Sequence, residues 1–359
     1  MNKKHDTMKK TNKQMLAAQN KPEAIPQMPW HERFYQFISS SSNFLIGKVT
    51  EDKFAFNELP DEIKYEIASF LTTKDFINLS KTTKSNSPFF TTNQHLKQGY
   101  EVRKFLHHVV RGNHEAVAKM LENNPSLMVI RGQVKDLSGR EFSNISGFEY
   151  CLWALDKHMW TKMLDCVPKT EDGERIKTEL RKQYQMIKEH GVTYTLHGVT
   201  KDYRPETTTT TEKHFDFKGT IISELQKFLD RNNNHQWITG VGGAQRLLPA
   251  HVVDEYCSDR PFELLPFYYF EQRHTSSKEY KNHLTNKKES WFGISSKMGE
   301  SFAIVKGTGV VMSMARAWVP GVRDDLGAIR ILYRVRKKDF LALEDDLKPC
   351  NSSENRYNY

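Results

Sequence analysis

Apolar residues recur at helical spacing along most of this chain and alternate in only a few short stretches. In the segment that opens at Leu59, Ile63, Ile67, Phe70 and Leu71 share one side of a helix, while Glu62, Lys64, Glu66 and Ser69 fall on the other. Pro60 suits a first helical turn, where its missing N–H is not needed, and Asp61 and Glu62 meet the positive end of the helix dipole. Thr72-Thr73-Lys74-Asp75 restarts a helix whose apolar side is Phe76, Ile77 and Leu79. A helical hairpin is predicted over residues 59–80.

Further helices follow. Val117, Met120 and Leu121 lie on one face, with a Gly112-Asn113 turn ahead and an Asn123-Asn124-Pro125 breaker behind. Asp136 to Phe142 has turn chemistry, and Gly147 to Val167 supplies two more helices through Tyr150, Leu152, Trp153, Leu155, Trp160, Met163 and Leu164. At this spacing the aromatic cluster of Trp153, His158 and Trp160 reads as core. Lys169 to Glu189 is charged enough for a solvated helix, and Thr207–Thr211 suits an exposed loop. Phe215, Phe217, Ile221, Ile222, Leu225, Phe228 and Leu229 form an amphipathic helix that Asn232-Asn233-Asn234 ends. A strand is predicted near Val310–Met314, a last helix over Asp325–Leu341 and a short helix within Trp30–Ile46.

With 359 residues, 38% hydrophobic and 27% charged, the chain is long enough for two or three domains with real cores. No run approaches a bilayer span, and residues 1–30 lack the apolar stretch of a secretory signal peptide. Cys151, Cys166, Cys257 and Cys350 show no Cys-x-x-Cys pairing, so neither a zinc module nor a redox motif is indicated. The net charge of +9 is spread along the chain rather than interleaved with aromatics, which argues against nucleic acid as the partner.

The Leu59-Pro60 step, the acidic pair, two isoleucines a turn apart, Phe70-Leu71 and then Asp75-x-x-x-Leu79-Ser80 together resemble an F-box. That family plugs substrate receptors into cullin-RING ubiquitin ligases. The resemblance implies that Leu59, Pro60, Ile63, Ile67, Leu71 and Leu79 face the Skp adaptor. It departs from the family at Thr82-Thr83-Lys84-Ser85, where a Val-x-Arg-x-Trp-like stretch is usual, so the third helix is divergent or shortened.

Gly112 to Pro125 resembles the second helix and exit turn of an ankyrin repeat, and Asp136 to Val167 a looser second unit. An ordinary helical domain explains the same residues, because about three repeats are normally needed for stability. Leu248–Cys257, Phe262–Phe270, Trp291-Phe292 and Met298–Ile304 resemble a region that accompanies ankyrin-like units in effectors secreted by intracellular bacteria.

No catalytic constellation is complete. Gly240-Val241-Gly242-Gly243 lacks the Lys-Ser or Lys-Thr ending of a phosphate loop. His251 and Glu255 have the spacing of two ligands on one helix face, with Cys257 just beyond, but the remaining ligands of a metal site are not identifiable. Cys257 with His274 or His283 has no protease signature around it. Tyr194–Thr200 and Arg273–Ser277 resemble fragments of two ADP-ribosyltransferase classes, although Glu-x-Glu is missing after the second.

The expected fold is mainly α: an F-box helical module, ankyrin-like helical hairpins and an α-rich C-terminal domain with a few strands. The expected boundaries are a disordered tail at 1–28, the F-box module at 29–100, the ankyrin-like unit at 101–168, and a linker helix with the Thr-rich loop at 169–212. The aromatic-rich domain then runs over 213–345 and a tail over 346–359. The resemblance implies a substrate receptor on a host Skp–cullin-RING ligase that recruits a host target for ubiquitination, with no cofactor or metal of its own. A bacterium would secrete it into the host cytoplasm, through a type IV system. The alternatives are a host-modifying transferase that uses the F-box-like segment for localisation, and a non-productive Skp decoy.

Overall fold

The computed structural model describes residues 59, 63, 64, 67, 68, 71, 75, 78, 79, 94–201, 213–262, 270–307, 309 and 311–348. The expected tail at 1–28, the Trp30–Ile46 helix, Pro60, Thr82–Ser85, the Thr207–Thr211 loop, residues 263–269 and residues 349–359 lie outside the described residues. Asp346–Lys348, expected to open the C-terminal tail, instead continue the body, with Asp346 helical and Leu347 buried. The chain divides into two units, 1–60 and 61–359. Leu59 is the only described residue of the first.

The second unit is mainly helical, with two small sheets. Helix α1 (Gln94–Val109) turns Val102, Phe105, Leu106 and Val109 inward at helical spacing, and α2 (His114–Asn123) adds Val117, Ala118 and Leu121. Asn124-Pro125 stops α2 as expected, and a 3₁₀ turn (Pro125–Met128) buries Leu127 and Met128. Strands β1 (Gly132–Lys135) and β2 (Glu141–Ile145) then form an antiparallel hairpin. Asp136–Phe142, expected to open a second ankyrin-like unit, is thus the tip and second strand of this hairpin. The Asp136 carboxylate accepts from the Arg140 backbone N–H at 2.9 Å, which closes the tip.

Helix α3 (Gly147–Ala154) starts in a capping box, with Ser146 Oγ accepting from Glu149 N and the Glu149 side chain accepting from Ser146 N. Leu155, at φ 59°, ends it, and Asp156 caps α4 (Lys157–Asp165) by accepting from Met159 N at 3.1 Å. Trp153 and Trp160 are core, as expected. Helix α5 (Glu171–His190) differs from the solvated helix expected over Lys169–Glu189. Its Ile176, Leu180, Tyr184 and Ile187 recur at i, i+4, i+8 and i+11 and are buried, a stripe that the surrounding charges hide in composition alone. Strands β3 (Tyr194–Leu196) and β4 (Val199–Lys201) complete a sheet of order β1-β2-β3-β4.

After the segment 202–212, a wide turn (Lys218–Ile222) leads into α6 (Ser223–Arg231), which ends at Asn232 in the left-handed conformation, in line with the asparagine stop. A second wide turn (Gln236–Gly242) runs into the single helical turn α7 (Gly243–Gln245), so the Gly-x-Gly-Gly stretch is helical. Its glycines permit close packing: a Cβ on Gly242 would lie 2.7 Å from the Gly299 backbone N and 2.8 Å from the Phe302 carbonyl oxygen. Helix α8 (Ala250–Cys257) follows. Strands β5 (Glu279–Lys281), β6 (Lys288–Ser290), β7 (Ala303–Val305) and β8 (Met312–Met314) then form a sheet of order β6-β5-β8-β7.

Helix α9 (Val319–Asp346) is longer at both ends than the predicted 325–341. Pro320 sits in its first turn, where the absent N–H costs nothing, so Val319-Pro320-Gly321 starts the helix rather than blocking it. The buried apolar cluster is continuous from Val102 to Leu347. Tyr184 of α5 donates to the Phe340 carbonyl at 3.2 Å, and Arg140 Nη2 donates to the Leu247 carbonyl at 2.6 Å.

Candidate functional site

Four of the six residues assigned to the adaptor lie in the second unit. Ile63 and Ile67 are helical, as is Leu79, while Leu71 sits in a bend. All four are half-buried, and Ala68 beside Ile67 is fully buried. Leu59 is also half-buried, and Pro60 lies outside the described residues. An Arg103 guanidinium from α1 donates to the Leu71 carbonyl, which fixes this bend against the helical body. Apolar side chains that keep part of their surface in water can add to a partner interface without first being pulled from a core.

Deeper in the body, a polar cluster gathers where α4, α8 and α9 approach one another. Asp156, almost sealed from solvent, interacts electrostatically with His251, His114 and His158. Burial holds His251 down at about 4 and His158 at about 3, so both imidazoles are neutral at physiological pH. Arg336 Nη2 lies 2.9 Å from His158 Nε2 and 2.8 Å from the Phe270 carbonyl. Because a guanidinium only donates, His158 Nε2 is the acceptor and its ring proton is on Nδ1. Arg336 Nη1 also reaches Asp339 at 3.0 Å, and Lys157 reaches the other oxygen of that carboxylate at 3.0 Å.

His251 and Glu255 are on α8, as their spacing predicted. The Nε2 of His251 and the Oε2 of Glu255 are sealed and lack hydrogen-bond partners among the described residues, and burial pushes Glu255 up to about 8 against the pull of Arg336 and Lys306. Glu255 is therefore largely a neutral acid at pH 7. Lys306, held down to about 8 by burial, donates to the carbonyls of Glu255 (2.6 Å) and Ser258 (3.0 Å) and to Ser258 Oγ (2.9 Å). Among the described residues, no group of three or more His, Cys, Asp or Glu is arranged to hold a metal ion.

Two clefts open nearby. One, of about 410 Å³, is lined by His114, Glu115, His158, Lys162, Asp165 and Arg273. The other, of about 930 Å³, is lined by Cys257, Ser258 and the hydroxyls of Thr275, Ser276 and Ser277, with Lys281 and Lys288 at its side. Burial pushes the Cys257 thiol up to about 12, so it is a poor nucleophile. His283 is engaged with Ser313 Oγ at 2.7 Å. His197-Gly198, part of the transferase-like stretch, is the two-residue turn between β3 and β4, with φ of 50° and 77°. Turn geometry accounts for that His-Gly pair.

Sequence reading missed Asp156, His114, Arg336 and Lys306. A lysine directly after the apolar run Ala303-Ile304-Val305, and an arginine on the apolar side of a long helix, were the available signals. The partners that give them meaning are far away in the chain.

The family described as CBUA0006 C-terminal domain matches residues 220–347. A relative from Coxiella burnetii, the uncharacterized protein CBUA0006, is 32% identical over 263 residues, covering 68% of this chain and 74% of the relative. No solved structure matches.

Proposed function

The chain belongs to the family of CBUA0006, and from that starting point we propose that it is an F-box substrate receptor that docks on the Skp adaptor of a host cullin-RING ubiquitin ligase. One observation carries the reading: the Leu-Pro, acidic pair, Ile-x-x-x-Ile and Asp-x-x-x-Leu-Ser pattern of residues 59–80. The helical state and partial exposure of Ile63 and Ile67 support it. Fully burying one such side chain contributes about 1.5–3 kcal/mol, so a few can sustain an interface after association costs.

In this reading the chain's task is positional. The F-box residues anchor to Skp, the helices of 101–168 act as an ankyrin-like holder, and they and the C-terminal region keep a host target within reach of the conjugating enzyme. The ligase subunits supply the chemistry. Delivery into the host cytoplasm by a bacterial secretion system fits a relative from an intracellular bacterium.

The test is affinity purification from human cells of the intact chain beside two variants, Leu59→Ala/Pro60→Ala and Ile63→Asp/Ile67→Asp, read by mass spectrometry. Skp and cullin are expected with the intact chain alone, while target candidates persist with the Leu59/Pro60 variant. Absence of Skp from the intact chain, or its retention by both variants, rules the receptor out.

A further inference from the structure

Helix α9 lies flat on the body. Leu326, Ile329, Leu332, Phe340 and Leu343 are buried beneath it, and Arg323, Arg330, Arg334 and Lys338 are exposed on the opposite side. At 100° per residue these four cations fall close to one line, with exposed Leu341 on it as well, and at 1.5 Å rise the line from Arg323 to Lys338 is about 22 Å long.

Surface helices usually neutralise such charges locally, and α5 does so. Arg175 pairs with Glu171 and Asp172, Lys177 with Glu174, and Lys182 with Glu179, each three or four residues away. No acidic residue stands three or four positions from any of the four α9 cations. Arg330 with Arg334, and Arg334 with Lys338, are instead like-charge pairs at i, i+4, an arrangement that weakens a helix. Arg330 bonds a neutral acceptor, Gln226 Oε1, at 2.8 Å. Arg323, Arg334 and Lys338 form no ion pair among the described residues. Among the described residues no acidic partner compensates these three charges.

We propose that this ridge docks on an anionic phospholipid surface. The ridge itself favours one anionic partner: its outer line can lie along a plane of phosphate headgroups, and exposed Leu341 on the same line offers an apolar side chain to the interfacial region, which a nucleic-acid backbone has no use for. Guanidinium groups match phosphate oxygens in a two-pronged fit, and a net charge of +9 draws the whole molecule toward such a surface. The inference is independent of the receptor reading. If both hold, the ligase is held at a membrane.

The experiment is co-sedimentation of the full chain with phosphatidylcholine vesicles, with and without about 30% phosphatidylserine, at about 0.15 M salt. Binding is expected only to the anionic vesicles. Arg330→Glu/Arg334→Glu should weaken it at least about tenfold, since each basic residue near such a surface contributes roughly fivefold. Arg175→Glu/Lys182→Glu on α5 makes the same change in net charge and should leave binding within about twofold. Should the α9 reversal lower the melting temperature, the milder Arg330→Gln/Arg334→Gln is expected to bind more weakly and with a shallower salt dependence. Equal binding to neutral vesicles, an unaffected α9 variant, or equal loss in the α5 variant overturns the proposal. So does a duplex RNA that binds more tightly than the vesicles and depends on the same arginines.

Discussion

Arg140 and Asp136 meet at 3.2 Å at the tip of the β1–β2 hairpin, with side chains only 2% and 1% exposed. The guanidinium carbon also lies 5.2 to 5.5 Å from the ring centres of Phe215, Trp153 and Tyr194, so one cation is shared by a carboxylate and three aromatic faces. Removing one member leaves the other charged and buried. Asp136→Ala is expected to destabilise the protein by about 3–5 kcal/mol, whereas Asp136→Leu with Arg140→Met should cost clearly less than the single change. Urea unfolding of the three proteins measures both quantities.

The neutral acid of α8 gives a pH dependence of defined sign. Glu255 binds its proton more tightly folded, at about 8, than unfolded, near 4.5, so its contribution is complete below the unfolded value and is lost as pH rises through 8. Asp325, pushed up by burial to about 7, adds a loss of the same sign. His251 and His158, held down at about 4 and 3, and Lys306, held down to about 8, contribute the opposite sign over the same range. The readout is therefore the difference between two proteins: from about pH 5.5 to 8.5 the melting temperature of Glu255→Gln should change by several degrees in the upward direction relative to the unsubstituted chain. A Glu255→Gln slope equal to that of the unsubstituted chain would contradict the assignment.

Neighbouring glycines make a sharp internal control. Gly242 has backbone at 2.7–2.8 Å from where a Cβ would go, while Gly243 has nothing within 4 Å. Gly242→Ala should destabilise by about 1–3 kcal/mol, and Gly243→Ala should be neutral or stabilising by up to about 1 kcal/mol. Thermal melts of the two variants are the check.

The raised Cys257 thiol should resist alkylation. Iodoacetamide at neutral pH is expected to label it far more slowly than an unfolded control, and peptide mapping reads the rate site by site.

Periodic apolar faces made most helices legible. The start of α2, the asparagine stop after α6 and the coincidence of His251 and Glu255 on one helix all followed from local chemistry. The first sheet did not. Its strands are three to five residues long, and β1 and β2 together bury only Val134, Phe142 and Ile145, too little alternation to stand out. Helix α5 has the composition of a solvated helix because its charges outnumber its apolar positions, although four of those positions form a clean stripe. The polar cluster joins residue 156 to residues 251, 255, 306 and 336, and no local pattern records a meeting between positions so far apart.

The hairpin tip carries a consequence for how this family can diverge. Its recognised C-terminal stretch begins at residue 220, yet the carbonyls of Leu247 and Leu248 inside it are held by Arg140 and Ser138 from well upstream. Moved between genes without the hairpin, that stretch would lose the donors to both carbonyls. A lineage that acquired it without its hairpin would inherit an interior with one wall missing.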